Sequence, residues 1–364
     1  MTYQKLLILG GTGNAGFSIA QKLLQETNLS LIISSRDAEK AHFTAGELNA
    51  HSKDEWSYRV TGIQLEPNNQ VELKSVLNQV DAVIVAASGI DTARLAEALI
   101  ETRKDCIDIR ENSDKQRILQ HYHSQFVENN VFYLSESGCF PGLPTLLIRY
   151  LLKQMPNADH AIANISIQMD WKKHPFSKTT IEEFAENLQY FQSKVWYKNH
   201  WKSVNNWRDV AKIKFDKNLG SKTCIPMVLP ETTALVENYP NLQYVNTRIA
   251  GFNPVVDYLI MPVLQWTTLP LSSALEWGLK RFSKPPFGTY FQAEVSHSSD
   301  RRQTLKISVN HLEGYELTAI SITALILQCL KTEQKTAGLH LQGLWAEPID
   351  FIEQLKRMGA QVQI

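Results

Sequence analysis

Short apolar runs alternate with helical patterns over the first 134 residues of the chain. Runs such as LIIS and AVIVAA are nearly continuous and partly β-branched, which is typical of strands that are covered on both faces. The segments between them carry apolar residues at helical spacing, as Leu95, Ala98 and Leu99 do. Strands joined by helical crossovers predict an α/β fold with a doubly wound parallel sheet. Its predicted strands are Leu6–Leu9, Leu31–Ser34, Val60–Leu65, Ala82–Ala86, Cys106–Ile109 and Val131–Leu134.

After Pro141 the apolar and polar residues alternate with a period of two, which indicates a sheet with one face on a core and one facing water. We therefore expect a second, inserted α+β domain with a mixed or antiparallel sheet. From Glu316 the pattern becomes helical again, and we expect this tail to pack on the first domain. The predicted boundaries are 1–142 with 316–364 for the first domain and 143–315 for the second. The alternating runs are Ala161–Asp170, Asn241–Gly251, Tyr290–His297 and Thr304–Asn310, and a hairpin is expected to turn at Lys198, Asn199 and His200.

Overall charge and cysteine usage narrow the class of protein. The chain has 37 basic and 37 acidic side chains, so its formal net charge of zero lacks the footprint of a nucleic-acid binder. The four cysteines lie far apart without a C-x-x-C pair, which favours free thiols in a reducing compartment and argues against a metal site. No export signal precedes the first strand, so we expect a cytoplasmic protein.

One uncharged stretch complicates this picture. Residues 258–275 carry no charge, a length close to that of a membrane span. Pro262 and Pro270 interrupt the stretch, and its polar side chains would need partners in lipid. We therefore expect no transmembrane span but helices buried in the second domain, and contact of 258–275 with a membrane surface is the alternative.

The strongest chemical signal is the segment LLILGGTGNAG at residues 6–16. Gly11, Gly13 and Gly16 form a G-x-G-x-x-G pattern that directly follows a predicted strand and opens a predicted helix. In this pattern the first glycine permits a tight turn, the second lets the backbone approach a pyrophosphate, and the third allows the helix to pack on the strand. Free N–H groups at the helix start would donate hydrogen bonds to the anion. The residues predicted to bind the cofactor here are Gly11, Thr12, Gly13, Asn14, Ala15 and Gly16.

The end of the second strand discriminates between nicotinamide cofactors. Sites for NAD usually place a carboxylate there to hold the ribose 2′-hydroxyl. This chain instead has Ser35 and Arg36, and Asp37 follows where it would suit the N-cap of the next helix. Because a guanidinium can pair with phosphate through two hydrogen bonds, the sequence favours NADP(H) over NAD(H). The alternative is that Arg36 is a solvated residue at a helix start.

Two further strand ends belong to the predicted site. The fourth strand ends in small residues, including Ala87 and Ser88, which would let a dinucleotide lie across the crevice of the sheet. The sixth strand leads into the loop SESGCFPGLP at residues 135–144, where nicotinamide and substrate should meet. A plain interdomain linker is the alternative for this loop.

Together these segments resemble the saccharopine dehydrogenase (saccharopine reductase) family. The resemblance rests on ILGGTGNAG, SSRDAEKA, VDAVIVAAS, CIDIRE, SESGCFPGLP and the C-terminal GYELTA and AGLHLQG segments. It implies an NADP-binding Rossmann domain that the C-terminal segment completes, and an inserted domain for substrate contacts and dimerisation. The family loop usually reads E-C-G-x-D-P-G, and four positions match it: Glu136, Gly138, Pro141 and Gly142.

The loop departs from the family at two positions. Ser137 stands where the cysteine is expected, and Phe140 stands where the aspartate is expected. An aromatic ring cannot orient an ammonium group, so Phe140 and Leu143 favour a less polar substrate than an amino acid. The candidates for orienting or protonating the substrate are Glu136, Ser137 and Cys139, and those for lining its pocket are Phe140, Gly142 and Leu143.

These features predict an NADP-dependent oxidoreductase. Hydride would pass between nicotinamide and a small, moderately apolar substrate at a C=O, C=N or C=C carbon, while the protein orients the acceptor and supplies a proton. The alternative is a sensor or scaffold that binds NADP(H) without catalysis, because no general acid is obvious in the altered loop. A homodimer through the second domain is also expected.

Overall fold

The protein is described here from a computed structural model, which defines residues 1–50, 58–111, 114–174, 177–189, 192–204, 209–266 and 271–364. The chain divides into two compact units. The first comprises Met1–Gly138 and Thr318–Glu347, and the second comprises Cys139–Leu317 and Pro348–Ile364.

The first unit contains a seven-stranded, fully parallel sheet, which confirms the predicted doubly wound α/β fold. The apolar runs form its strands because nearly every side chain in them is buried. Its strands are β1 (Lys5–Leu9), β2 (Ser30–Ser35), β3 (Val60–Gln64), β4 (Ala82–Val85), β5 (Asp105–Asp108), β6 (Phe132–Ser135) and β15 (Gly338–Leu341), in the order β15-β6-β5-β4-β1-β2-β3.

The chain leaves β1 for β2 on one side of the sheet and returns to β4 on the other, so a topological switch point lies between β1 and β4. In open α/β sheets ligands bind beside such a point, at the carboxyl ends of the strands. Six of the seven strands coincide with predicted ones, and β15 supplies the contribution of the C-terminal segment. The helices of this unit are α1 (Asn14–Glu26), α2 (Ala38–Ala50), α3 (Gln70–Leu77), α4 (Thr92–Thr102), α5 (Lys115–Glu128) and α12 (Gln342–Trp345).

The second unit contains a nine-stranded sheet. Two neighbouring strands near its centre run parallel and the other pairs run antiparallel, so the sheet is mixed, as expected. Its strands are β7 (His160–Gln168), β8 (Lys194–Tyr197), β9 (His200–Ser203), β10 (Ala211–Lys214), β11 (Ser221–Met227), β12 (Tyr244–Ala250), β13 (Gly288–His297), β14 (Asp300–His311) and β16 (Gln361–Gln363).

The helices of the second unit include a π-helical turn at Val256–Ile260. The α-helices are α6 (Gly142–Gln154), α7 (Lys178–Gln189), α8 (Pro230–Asn238), α9 (Met261–Trp266), α10 (Ser272–Phe282) and α13 (Pro348–Arg357), and α11 (Gly314–Lys331) extends across the division between the units.

The last seventeen residues lie elsewhere than the sequence indicated. Pro348–Ile364 belong to the second unit, not to the first. The reason is that α13 is strongly amphipathic and buries Phe351, Ile352 and Leu355 while it contacts α6, and β16 then pairs antiparallel with β14. The first division falls after Gly138 and the second after Leu317, in place of 142 and 315.

The hairpin of β8 and β9 turns where the sequence indicated. Lys198 and Asn199 have φ values of 47° and 64°, so both central residues adopt the left-handed region that two-residue hairpin turns of this type require. Among the described residues, no helix is both long enough and apolar enough to cross a membrane. Of the uncharged stretch, Thr267–Pro270 lie outside the described residues, and Tyr258 and Leu259 are exposed.

Candidate functional site

The glycine-rich segment forms the turn between β1 and α1. Gly10 takes up a φ of 79°, and its carbonyl oxygen accepts a hydrogen bond of 3.0 Å from Gly13 N. Gly13 is the N-cap of α1, and no side chain caps this end of the helix. The first N–H groups of a helix have no partner within the helix, so those of Asn14, Ala15 and Gly16 are directed at the space before α1.

The three glycines of the motif differ in what a side chain would meet. A Cβ at Gly11 would lie 2.5 Å from Ile33 Cβ, and one at Gly16 would overlap the Gly10 carbonyl, so both positions are closed by packing. A Cβ at Gly13 would meet Gly10 O at 3.4 Å, an ordinary contact, and Gly13 is exposed. Of these three glycines, Gly13 is the one at which the packing of the fold leaves room for a side chain. An anion at the helix start would use that space.

Arg36 lies beside a cavity of about 650 Å³ at the carboxyl ends of β2 and β3. Its neighbour Asp37 caps α2, because Lys40 N donates to Asp37 Oδ1 at 3.1 Å. Ser35 Oγ accepts from Asp37 N at 3.2 Å. The side chain of Asp37 is therefore engaged at the helix, and Arg36 supplies a cation to the cavity. The lining residues are Arg36, Gln64, Leu65, Glu66, Val71, Glu72, Ser75 and Val76.

The two carboxylates of this cavity have local partners. Glu72 Oε1 accepts from Asn69 Nδ2 at 2.6 Å, and Glu72 Oε2 accepts from Glu66 N at 3.2 Å. Glu66 Oε1 accepts from Asn68 N at 3.3 Å. These bonds hold the start of α3, which Asn69 caps. Both carboxylates remain acceptors on the cavity wall, while Arg36 is the group that suits a phosphate.

The end of β4 packs directly on the glycine turn. A Cβ at Gly10 would lie 2.7 Å from Ala87 Cβ, so Ala87 is next to the turn. Ser88 follows and is half-buried. Small residues here keep the crevice between β1 and β4 open to a ligand.

A cluster of buried charges lies at the carboxyl ends of β5 and β6. Arg110 Nη2 donates to Asp108 Oδ2 at 2.8 Å, and Arg110 Nε donates to Asp108 Oδ1 at 3.1 Å. Tyr133 donates its hydroxyl to Asp108 Oδ2 at 2.7 Å. Burial would raise the pKa of Asp108, but Arg110 and then Lys115 hold that pKa well below its ordinary value. Asp108 is therefore a fixed anion.

Glu136 is the next member of this cluster, one residue beyond β6. Its side chain is 1% exposed, and its φ of 56° lies in the left-handed region. Two donors from the first turn of α5 hold one of its oxygens: Gln116 Nε2 lies 2.8 Å from Glu136 Oε1 and Lys115 Nζ lies 3.3 Å from it. Its other oxygen, Oε2, is buried and accepts no hydrogen bond from the described part of the chain.

Lys115 links Glu136 to the rest of the cluster. It is fully buried, donates to the carbonyl oxygen of Arg110, and lies 4.0 Å from Asp108 Oδ1. Burial and the nearby Glu136 raise the pKa of Glu111 to about 7, although Lys115 opposes this rise. Glu111 is therefore a carboxyl group of this cluster that can hold a proton near neutral pH.

The loop after Glu136 is held by the C-terminal segment of the same unit. Gly138, whose φ is 103°, donates its N–H to Gln342 Oε1 at 2.6 Å and accepts from Gln342 Nε2 at 2.8 Å. Ser137 Oγ donates to Leu134 O at 3.2 Å, and Ser137 N donates to Asp108 O at 3.1 Å. The Ser137 hydroxyl thus already has an acceptor within the fold.

The remaining loop candidates belong to the second unit. Cys139 is buried. The other three cysteines, Cys106, Cys224 and Cys329, are buried as well, and their own burial raises the pKa of each thiol. None of the four cysteines forms a disulfide. Phe140 is half-buried, whereas Gly142 and Leu143 begin α6 and are buried. Because Leu143 is buried, it could line a substrate pocket only if that pocket extended into the core of the second unit.

Sequence reasoning located the glycine turn, Arg36 and Glu136 but missed the partners of Glu136. Lys115, Gln116 and Gln342 come from other elements, and nothing in their local sequence marks them as buried. One signal was available: Asp108 ends a buried strand, and Arg110 follows it two residues later. Within the described ranges, no group of three or more His, Cys, Asp or Glu side chains could hold a metal ion.

Comparison with known proteins supplies the family context. Residues 6–133 match a family model described as "Saccharopine dehydrogenase NADP binding domain". The search of curated proteins found no match. Among solved structures, apo saccharopine dehydrogenase (L-Glu forming) from Saccharomyces cerevisiae is similar with a TM-score of 0.68 and 13% identity, over 99% of each chain.

A mutant of meso-dapdh from Clostridium tetani is similar with a TM-score of 0.46 and 13% identity, over 97% of this chain and 98% of that one. The likeness to the yeast enzyme shows the fold, and the match over residues 6–133 adds the domain type. The resemblance seen in the sequence is thereby confirmed: residues 6–133 match the saccharopine dehydrogenase NADP-binding domain, and the whole chain shares the fold of the yeast enzyme.

Proposed function

We propose that the protein is an NADP-dependent oxidoreductase that transfers hydride between nicotinamide and a small, moderately apolar substrate at a C=O, C=N or C=C carbon. The observation that carries this proposal is the glycine turn before α1, where Gly13 alone of the three motif glycines has room for a side chain. The matching family domain and the oxidoreductase names of the structural neighbours support it.

The residues present fit a dinucleotide. The N–H groups of Asn14, Ala15 and Gly16 would hold the pyrophosphate beside Gly11, Thr12 and Gly13. Arg36, with Ser35, would hold the 2′-phosphate, which favours NADP(H) over NAD(H). The carbonyls and carboxylates on the cavity wall would accept hydrogen bonds from the adenine amino group.

The strand order supports a position for the reactive end of the cofactor. If the adenosine lies at β2 and β3 and the pyrophosphate at β1, the nicotinamide extends past Ala87 and Ser88 toward β5 and β6. From β1 to β6 there are three strand spacings, about 14 Å at 4.8 Å each. That end of the sheet carries Asp108, Lys115 and Glu136.

When it is bound, nicotinamide supplies the hydride or accepts it. The chain's own part is to hold the substrate and to move a proton. Of the three loop candidates, Glu136 is the one we propose for orienting the reactants, because its Oε2 accepts no hydrogen bond from the described residues, whereas Ser137 already donates to Leu134. Phe140 would present an apolar ring to the substrate. Glu111 would hold a proton near neutral pH.

A sensor or scaffold that binds NADP(H) without catalysis is the second candidate. The observation that favours it is the loop itself, where Ser137 and Phe140 replace the family's cysteine and aspartate. Both candidates predict tight binding of the cofactor, and they differ in turnover.

The experiment is a titration followed by an absorbance assay. NADPH and NADH are first titrated into the full chain, and we expect NADPH to bind more tightly. NADPH absorbance is then followed while aldehydes, imines and enones are added singly. Decay with one of these classes supports the oxidoreductase; binding without decay across all three supports the sensor. Lack of NADPH binding contradicts both. A cytoplasmic homodimer remains part of the proposal, and light scattering at two concentrations tests its oligomeric state.

A further inference from the structure

Glu136 presents one carboxylate oxygen that its surroundings leave without a partner. Gln116 and Lys115 both direct donors at Oε1, at 2.8 Å and 3.3 Å, while Oε2 is buried and accepts no hydrogen bond from the described residues. A buried acceptor without a partner loses its hydration without compensation, at a cost of about 1–3 kcal/mol. Such an atom in a native fold calls for an explanation, and a ligand that donates to it is one.

The backbone of Glu136 is also held in an unfavourable conformation. A residue with a Cβ at a φ of 56° is less stable than in the right-handed region by about 1–2 kcal/mol. The two donors of α5, and the two hydrogen bonds between the Gly138 backbone and the Gln342 side chain, maintain it nonetheless. The surroundings thus fix the direction of Oε2 from two sides.

The chemistry of the bound cofactor limits what can donate to this oxygen. At the β5 and β6 end of the sheet the proposed cofactor would offer two kinds of donor, the carboxamide NH₂ group of nicotinamide and the hydroxyls of its ribose, whereas the ring carbons carry none. The carboxamide is attached beside the carbon that takes part in hydride transfer. A fixed acceptor for its NH₂ group would therefore set the orientation of the ring.

We propose that Glu136 Oε2 accepts a hydrogen bond from the carboxamide NH₂ group of nicotinamide, and that Lys115 and Gln116 are the positioning residues that direct this oxygen. This proposal rests on the proposed function, because it assigns the recognition of the nicotinamide end of the same site. Because Oε2 is buried, the proposed bond requires the side chains around it to move when the cofactor binds.

A single substitution tests the assignment at one atom. In Glu136→Gln the amide oxygen turns toward the two donors Lys115 and Gln116, and the amide NH₂ takes the place of Oε2. An acceptor becomes a donor with almost no change in volume. The probes are NADP⁺ and its 3-acetylpyridine analogue, in which a methyl ketone replaces the carboxamide. Both carry the same ring charge, so a purely electrostatic effect of the substitution cancels in the ratio of their dissociation constants.

Binding is measured by isothermal titration calorimetry on the full chain, without any substrate. We expect the wild-type chain to bind NADP⁺ more tightly than the analogue, and Glu136→Gln to change that ratio by roughly 10- to 100-fold in favour of the analogue, the range of one hydrogen bond to a charged group. Glu128→Gln, an exposed carboxylate at the end of α5, is the matched control and leaves the ratio unchanged.

Each outcome of these titrations either supports or overturns the proposed hydrogen bond. An unchanged ratio in Glu136→Gln, with both dissociation constants raised equally or not at all, overturns the hydrogen bond while the cofactor site stands. Failure of the wild-type chain to bind NADP⁺ overturns the proposed function as well. If Glu136→Gln does not fold, the charge-balanced double variant Lys115→Met with Glu136→Gln replaces it. Equal binding of both probes to the wild-type chain overturns the inference without any variant.

Discussion

The three glycines of the β1–α1 turn allow binding to be separated from folding. Gly13→Ala is the central change: the backbone of Gly13, with φ of −85° and ψ of 167°, suits alanine, and the new Cβ would lie 3.4 Å from the Gly10 carbonyl oxygen. The fold should therefore tolerate the change within about 1 kcal/mol, and a smaller conformational entropy of the unfolded chain even favours it slightly.

The effect on the cofactor should be large. The methyl group occupies the space before α1 through which a pyrophosphate reaches the N–H groups of that helix. Loss of two hydrogen bonds to a charged group, each worth about 1.5–3 kcal/mol, corresponds to roughly 10²- to 10⁴-fold weaker binding. NADPH fluorescence titration measures the dissociation constant, and urea unfolding of the same preparations measures the free energy of unfolding.

Two further substitutions serve as controls. Gly46→Ala lies within α2 with no atom within 4 Å of the added Cβ, so it should stabilise the chain by about 1 kcal/mol and leave NADPH binding unchanged. Gly11→Ala would lie 2.5 Å from Ile33 Cβ and should lower the free energy of unfolding by about 1–3 kcal/mol. If Gly13→Ala binds NADPH as the wild-type chain does, the turn does not cradle a phosphate and the reasoning is wrong.

Three other changes test the charged groups. Arg36→Ala should weaken NADPH binding by roughly 10- to 100-fold and NADH binding far less, as titrations with each will show; equal losses would exclude contact with the 2′-phosphate. Asp108→Asn should lower the free energy of unfolding in urea by about 3–5 kcal/mol, because Arg110 stays buried without its carboxylate; a loss under 1 kcal/mol would contradict this. The folded chain holds the Glu111 proton more tightly than the unfolded chain, so wild-type stability should fall as pH rises from 4.5 to about 7 and then level off. Glu111→Gln should remove that fall and be more stable than wild type at pH 8 by as much as about 3 kcal/mol; identical pH profiles of unfolding would refute it.

The sequence predicts those parts of the fold that depend on short-range pattern. The strands β1, β2 and β4 to β6 are found because their runs are buried on both faces, and β7, β12, β13 and β14 are found because they alternate. The strands β10, β15 and β16 have only three or four residues each, so too few positions exist to show a period, and pairing with a neighbour decides their conformation.

The assignment of the C-terminal tail shows a second limit. The pattern of Pro348–Arg357 predicts a helix with one apolar face, and that helix is present. A helical stripe reports that the face must be covered but not which surface covers it. The tail could have completed either unit, and α6 together with the open edge of β14 provided the partner.

The cluster of buried charges is the feature that sequence patterns predict least well, and it is also the feature most closely tied to the proposed function. Lys115 and Glu136 are 21 positions apart, and composition places both types of side chain at the surface by default. Only the parallel order of β5 and β6, with α5 between them in the chain, brings the two together. Buried ion pairs add little stability over apolar side chains of similar volume, so a stable fold alone gives no reason for four charges here. Their position at the carboxyl ends of the strands offers one, because ligands of open α/β sheets bind at that edge.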